Sequence, residues 1–280
     1  MSRYKIVHRT GFKYAGAVGA SYNEVRLFPN RDESQVVFSS KLEISPQGSI
    51  HEFIDYFGTR TAMFEVLEPH GELSIISTSV VEVRPHVRPA PDKNWASLGN
   101  SIQGSLELVD AVTQTRRTLP PQDLVKHSKK LAESLSPHDT AIAICKKIHK
   151  TMAYKHGVTG VHSVATEAWK QKVGVCQDFA HITLGALRSV GIPARYVSGY
   201  LYPATDRKVG ETVVGESHAW VEWWAGSWFA FDSTNDVAVE DRHIVVGHGR
   251  DYDDVPPLRG VYAGGVDSEL FVSVEFTKET

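Results

Sequence analysis

Residues 174–193 read GVCQDFAHITLGALRSVGIP, a stretch that predicts one amphipathic helix beginning at a cysteine. Its apolar residues recur in steps of three and four, the spacing of one helical face. These residues are Phe179, Ile182, Ala186 and Val190. Gly191 and Pro193 then supply the signals that end a helix. Cys176 is therefore predicted in the first helical turn.

The residues around this helix start favour a reactive thiol at Cys176. Gly174 permits a sharp entry into the helix and a close approach by a substrate backbone. The unpaired N–H groups and the positive dipole end of a helix favour a thiolate, and the same N–H groups can donate to an oxyanion. The pattern predicts a nucleophilic cysteine at position 176.

Two strand patterns downstream carry a histidine and an aspartate. Residues 217–224 and 228–232 are rich in aromatic and β-branched residues and are separated by a short loop containing glycine, which indicates a hairpin. In that hairpin Trp220 lies opposite Asp232, and His218 is the diagonal neighbour of Asp232 on the same face. The shared face holds for any loop of odd length, because strand side chains alternate with a period of two.

Together the three residues fit nucleophilic catalysis. Cys176 would attack a carbonyl, His218 would take and return the proton, and Asp232 would fix the imidazole tautomer and stabilise its positive form. Each residue taken alone also fits a structural role: a buried helix thiol, a strand histidine and a turn acid. The combination is much rarer than any of its members, and it predicts an active site.

Metal sites are disfavoured. Cys176, Asp178 and His181 do not share one helix face, and the sequence offers no fourth zinc ligand beside them. The acidic run at 251–254 lacks the spacing of an EF-hand loop, so a solvated turn explains it equally well. The sequence predicts no cofactor and no metal.

The second cysteine, Cys145, has a different setting. It lies between Ile142 and Ile148 on the apolar stripe of a predicted helix, which is typical of an inert core thiol. Two cysteines are too few for a disulfide framework. Both are predicted to be free thiols in a reducing compartment.

The rest of the chain divides at a proline-rich segment. Residues 3–83 show short alternating runs separated by turns and predict a small all-β sandwich. The segment at 84–91 has the proline density of a linker, so domains are predicted at 1–88 and 89–280. The second domain begins with helical patterns and ends with strands. The predicted fold class is α+β, preceded by the all-β domain.

Composition limits the partners. The 280 residues include 30 Lys and Arg against 33 Asp and Glu, a formal net charge of −3, which gives no electrostatic footprint for nucleic acid. No apolar run approaches the length of about 18 residues that spans a membrane, and charges interrupt the N-terminus too often for a signal peptide. We expect a cytoplasmic protein whose partner is a peptide or protein substrate. The pattern carries no signal for oligomeric state.

Four sequence blocks resemble the bacterial transglutaminase-like superfamily, a group that includes transglutaminase-like enzymes and cysteine proteases. The blocks lie at 174–181, 187–200, 217–222 and 228–234. Residues 22–29 are similar to the β domain that precedes the core in this group, and 249–257 are similar to its C-terminal signature. Ser233 stands where a proline often follows the aspartate. The resemblance implies a papain-like core with a Cys-His-Asp triad and acyl-enzyme chemistry at an amide.

Further residues are candidates for binding substrate or for supporting the triad. Gln177, Trp220 and Tyr252 are predicted to contact substrate. Asp178 is expected to anchor the cysteine loop through backbone N–H groups. Arg195 is expected to pair with Asp178 or with Glu222.

The leading prediction is a cysteine amidase or peptidase that hydrolyses a peptide or isopeptide bond through an acyl-thioester. Transamidation is the first alternative, and its amine pocket would come from Trp220, Glu222 and Trp224. An arylamine N-acetyltransferase-like enzyme is disfavoured, because 174–177 lacks paired glycines and a following glutamate. A binding protein with a retired site is disfavoured by the intact triad.

Overall fold

The computed structural model describes residues 1–84, 89–92, 94–158, 160, 162–203 and 208–280. Six helices and fifteen strands lie within these ranges. The helices are α1 (Trp95–Gln103), α2 (Leu106–Val112), α3 (Gln122–Ala132), α4 (Pro137–Thr151), α5 (Ala165–Gln171) and α6 (Cys176–Arg188). The first eight strands are β1 (Ser2–Val18), β2 (Ala20–Val25), β3 (Gln35–Ser45), β4 (Ile50–Ile54), β5 (Arg60–Val66), β6 (His70–Val83), β7 (Ala153–Tyr154) and β8 (Val173–Gly174). The others are β9 (Ala194–Leu201), β10 (Thr212–Trp224), β11 (Trp228–Asp232), β12 (Val237–Ala238), β13 (His243–Gly249), β14 (Leu258–Ala263) and β15 (Ser268–Lys278). None of the helices described is long and apolar enough to cross a membrane.

The N-terminal third is built from strands, as predicted. β1, β6 and β3 form one end of a large antiparallel sheet, and β2, β5 and β4 form most of a smaller sheet. Apolar side chains from both sheets form one core, which includes Val25, Phe64, Leu73 and Ile75. This is the packing of a β-sandwich, in which the inward-facing residues of two sheets share a core.

The C-terminal strands return to these N-terminal sheets. β15 pairs with β1 along its whole length, and β14 pairs with β2. On its other side β15 pairs with β10, so one continuous sheet runs from β3 to the strands that carry His218 and Asp232. The predicted boundary at residue 88 lies outside the described residues. The division into 1–88 and 89–280 stays a prediction, but 258–278 pack with the first part.

The helical core surrounds α6. Every residue of α6 after Cys176 is buried, and the helix packs against α4, α5, β9 and β10. A Cβ at Gly185 would lie 1.9 Å from the carbonyl oxygen of Thr118, so only glycine permits this close approach. Cys145 of α4 has no exposed surface in this core, in agreement with its predicted structural role. The α+β fold class is therefore confirmed.

Substitution of Phe276 in β15 tests whether the N-terminal sheets and the helical core unfold together. Its side chain is fully buried against Tyr200 and Tyr202. We expect Phe276→Ala to lower the free energy of unfolding by about 3–5 kcal/mol. The measurement is urea unfolding followed by tryptophan fluorescence, because all six tryptophans lie between Trp95 and Trp228.

The matched control is Val272→Ala on the same strand, where the side chain is 58% exposed. Its effect should stay within about 0.5 kcal/mol. An unchanged tryptophan transition in Phe276→Ala would contradict coupling between β15 and the helical core.

Candidate active site

Cys176 is the first residue of α6, as predicted. The turn before it is fixed by Asp178, whose Oδ2 accepts a hydrogen bond from the N–H of Val175 at 2.8 Å. A Cβ at Gly174 would lie 2.7 Å from the same oxygen, so glycine is required for this turn to close. Asp178 therefore anchors the cysteine loop, as the sequence suggested.

The hairpin has the predicted register. Val221 pairs with Phe231 and Trp224 with Trp228. This register brings His218 to Asp232, and the His218 Nε2 lies 2.8 Å from Asp232 Oδ2. Both side chains are almost completely removed from water.

The Cys176 sulfur and the His218 ring line the same cleft, and Cys176 contributes to the electrostatics of that ring. Because Nε2 is engaged by Asp232, the sulfur is left to interact with Nδ1. Burial lowers the pKa of the His218 imidazole, but the interactions with Asp232 and Cys176 outweigh burial and raise this pKa to about 10. A raised imidazole pKa favours the charged ring, and a positive ring favours the thiolate form of an adjacent sulfur.

Asp232 is held by a dense set of donors. Its Oδ1 accepts from the N–H groups of Thr234 and Asn235 at 3.0 and 3.2 Å. Its Oδ2 accepts from Asn235 Nδ2 at 2.7 Å in addition to His218. Burial alone would raise the pKa of this carboxyl, but the hydrogen bonds from His218 and His243 hold it well below its usual range.

His243 of β13 is a member of the site that the sequence analysis missed. The Glu240 N–H donates to His243 Nδ1 at 3.2 Å, so the ring proton resides on Nε2. Nε2 lies 3.4 Å from Asp232 Oδ2 and donates to it. The only sequence signal was a histidine at the start of a β-branched run, which had no partner to suggest a role.

Cys176 and His218 line one cleft of about 440 Å³. Two of the predicted substrate-binding residues, Gln177 and Tyr252, line the same cleft. Tyr154 also lines it and was not predicted. Burial and the Cys176 charge raise the pKa of the Tyr154 hydroxyl to about 12, so this hydroxyl stays a hydrogen-bond donor.

Trp220 lies elsewhere than predicted. Its side chain has no exposed surface and packs with Val197, Ala230 and Val245 in a separate small core. A Cβ at Gly199 would lie 2.5 Å from the indole, which fills the space above that glycine. The assignment of Trp220 to substrate binding is therefore wrong. Trp220 shares the strand face of His218, but Val197 of β9 and Val245 of β13 cover its side chain.

His181 supports the loop that carries Tyr252. The Tyr252 N–H donates to His181 Nε2 at 3.2 Å. Burial and then the charge of Arg117 lower the pKa of His181 to about 3, so the ring is neutral and can accept this bond. Among the described residues no group of three or more His, Cys, Asp or Glu side chains is arranged to hold a metal ion.

Comparison with known proteins finds two regions of the chain that match known families. Residues 126–233 match the transglutaminase-like superfamily, and residues 4–82 match the bacterial transglutaminase-like N-terminal region. An uncharacterized protein of Mycobacterium leprae is 41% identical over 279 residues, which cover 99% of each chain. The chain belongs to the transglutaminase-like superfamily. The resemblance drawn from the sequence is thereby confirmed.

Two further relatives extend the comparison. The crystal structure of a proposed cysteine protease from Cytophaga hutchinsonii matches with a TM-score of 0.75 and 22% identity, over 98% of this chain and 90% of that chain. It shows that the fold is shared. A protein-glutamine gamma-glutamyltransferase of Pseudomonas aeruginosa is 30% identical over 146 residues, which are 47% of this chain and 22% of that protein.

The two thiols should differ sharply in reactivity. We expect iodoacetamide to alkylate Cys176 faster than Cys145 by a factor on the order of 100, because Cys145 is fully buried and burial raises its pKa. Peptide mapping by mass spectrometry measures both rates in one sample. Cys145→Ala should keep the fast phase and Cys176→Ala should lose it. Equal labelling of both thiols would exclude Cys176 as the activated nucleophile.

Asp232→Asn should change the charge state of His218. Without the carboxylate, the imidazole loses one of the contributions that outweigh burial, and we expect its pKa to fall from about 10. NMR titration of the ring proton measures this change. The control is Asp236→Asn, because Asp236 has a φ of 55°, a conformation that asparagine tolerates. An imidazole that titrates alike in wild type and Asp232→Asn would contradict the pairing.

Proposed function

We propose that this protein is a cysteine amide hydrolase that cleaves a peptide or isopeptide bond through an acyl-thioester on Cys176. The observation that carries the proposal is the chain of contacts from Cys176 to His218 to Asp232 at the wall of an open cleft. A protonated imidazole beside a sulfur supplies both the nucleophile and the acid that an amide leaving group needs.

The reaction would follow from this charge arrangement. The Cys176 sulfur attacks the amide carbonyl, and the N–H of Cys176, which has no carbonyl of its own helix to bond, can donate to the oxyanion. His218 gives its proton to the leaving nitrogen as the carbon–nitrogen bond breaks. Water then attacks the thioester, His218 accepts a proton from that water, and the thiolate leaves. Asp232 keeps the ring oriented and stabilises its charge throughout.

Hydrolysis is favoured over transamidation because the residues considered for an amine pocket are buried or already bonded within the fold. Trp220 is fully buried. Glu222 is buried and bonded to Arg195 at 2.8 Å, with His248 at 3.4 Å from the same oxygen. Trp224 packs against the main core. These side chains are occupied by the fold, whereas water reaches the open cleft directly. A cytoplasmic location remains part of this proposal.

Transamidation is the second candidate, and Glu216 favours it. This carboxylate lies in the cleft with Cys176 and His218, and its side chain is 69% exposed. An exposed carboxylate there could hold an ammonium group near the thioester. The similarity to the Pseudomonas aeruginosa gamma-glutamyltransferase points the same way.

Partition of the acyl group separates the two reactions. A glutamine-containing peptide is offered with an excess of labelled primary amine, and the products are separated by mass. Hydrolysis predicts free acid with little label retained. Label in most of the product would make the protein a transamidase.

The triad variants provide the controls for this assay. Cys176→Ala and His218→Ala should abolish turnover, and Asp232→Asn should lower it by about 10³-fold or more. Asp236→Asn should turn over like wild type. Turnover that survives in Cys176→Ala would refute cysteine chemistry at this site.

A further inference from the structure

One edge of β15 is only partly paired. On one side β1 pairs with residues 268–278 of the strand. On the other side β10 pairs with it only as far as Gly215, which lies opposite Val274. Within the ranges that the structure describes, no strand pairs with residues 268–273 on that second side. The edge beyond Val274 is therefore open.

The backbone groups at this open edge can be identified from the ladder. In an antiparallel pair, successive residues direct their N–H and C=O groups to opposite edges. The N–H of Ala15 donates to the carbonyl of Asp267 at 2.9 Å, which sets the odd-numbered residues of this segment toward β1. Leu270 and Val272 then direct their N–H and C=O groups to the open edge.

This edge opens into the cleft that holds the thiol. β10 leaves β15 after Gly215 and pairs instead with β9, and His218 lies three residues beyond that divergence. Val272 and Val274 line the same cleft as Cys176. The gap between the two diverging strands is thus continuous with the candidate active site.

Two side chains of this segment are both exposed and apolar. Leu270 is 54% exposed and Val272 is 58% exposed, although both lie on a strand. An open apolar edge is a template for pairing with another chain, and proteins usually protect such edges with charges, prolines or a covering segment. Here the open edge lies beside the cleft that holds Cys176, where a paired segment could be a substrate.

We propose that an extended segment of a peptide substrate adds to the sheet as a further strand along Leu270 and Val272, and that this pairing delivers its reactive amide to Cys176. This inference rests on the proposed function and names its substrate class. A strand advances about 3.3 Å per residue, so a seven-residue segment spans about 23 Å.

Recognition through the edge has a consequence for specificity. Strand addition obtains its affinity from main-chain hydrogen bonds, and selectivity comes from pockets for alternate side chains. Val272 and the neighbouring Ser273 are exposed on opposite faces of the strand, so side chains of a paired segment at this edge stay in contact with solvent. The substrate should therefore be a flexible or unfolded segment, and many sequences should be accepted.

Two alkylating probes with the same reactive group test this pairing on the wild-type chain. The first is a single diaminopropionic acid residue that carries a bromoacetyl group and is capped at both ends. The second places the same residue at the centre of an alanine-serine heptapeptide. Pairing predicts that the heptapeptide alkylates Cys176 at least tenfold faster. Methylation of single backbone nitrogens in the heptapeptide should remove this gain at alternate positions only.

A variant of the protein tests the same edge by removing a backbone donor from β15 instead of from the probe. Val272→Pro removes an N–H that faces the open edge and none that bonds β1, a position where a strand tolerates proline. The ratio of the two probe rates should fall to about one in Val272→Pro and stay high in Val272→Ala, which keeps the N–H. Thermal unfolding of both variants checks that they fold, and the methylation series on wild type is independent of either variant.

The outcomes separate the two proposals. Equal rates for the two probes, or a gain that ignores the position of the methyl group, would overturn strand addition while leaving the thiol chemistry intact. A wild-type dimer in gel filtration that becomes a monomer in Val272→Pro would show that a second copy of the chain occupies the edge. Failure of both probes to prefer Cys176 over Cys145 would overturn the proposed function and this inference with it.

Discussion

The buried charge of Asp232 is the constraint on which the site depends. A carboxylate with no exposed surface is costly unless donors surround it. Asp232 meets this requirement through two backbone N–H groups, one amide side chain and two imidazoles. The geometry that satisfies the charge also fixes the His218 ring. The same contacts therefore stabilise the turn and orient this imidazole.

The fold supplies the rigidity that this arrangement needs. α6 is buried along its length and places Cys176 at its start, while β10 carries His218 from the centre of a large sheet. β15 pairs with both β10 and β1, so the N-terminal strands support the strand that carries His218. The point where β10 leaves β15 creates the cleft. The two halves of the chain therefore contribute to one site even though the chemistry-bearing residues all lie in the second.

Local sequence patterns were sufficient to predict most of the candidate site. The start of α6, the hairpin register and the approach of His218 to Asp232 follow from periodicity and strand alternation, which are local rules. The placement of Trp220 and the role of His243 do not. Both depend on how β13 and β9 pack against the hairpin, and that contact joins segments with no local signal. The return of β14 and β15 to the N-terminal sheets is a long-range pairing of the same kind.

The central claim is that Cys176 forms an acyl-enzyme. Intact-protein mass spectrometry after incubation with a peptide extract, followed by acid quench, tests it most directly. The account predicts one acyl adduct per chain, mapped to Cys176, lost in Cys176→Ala and released by water on longer incubation. The mass of that group would also identify the substrate. An adduct on Cys145 or on another side chain, or none under conditions where the peptides are turned over, would contradict the account.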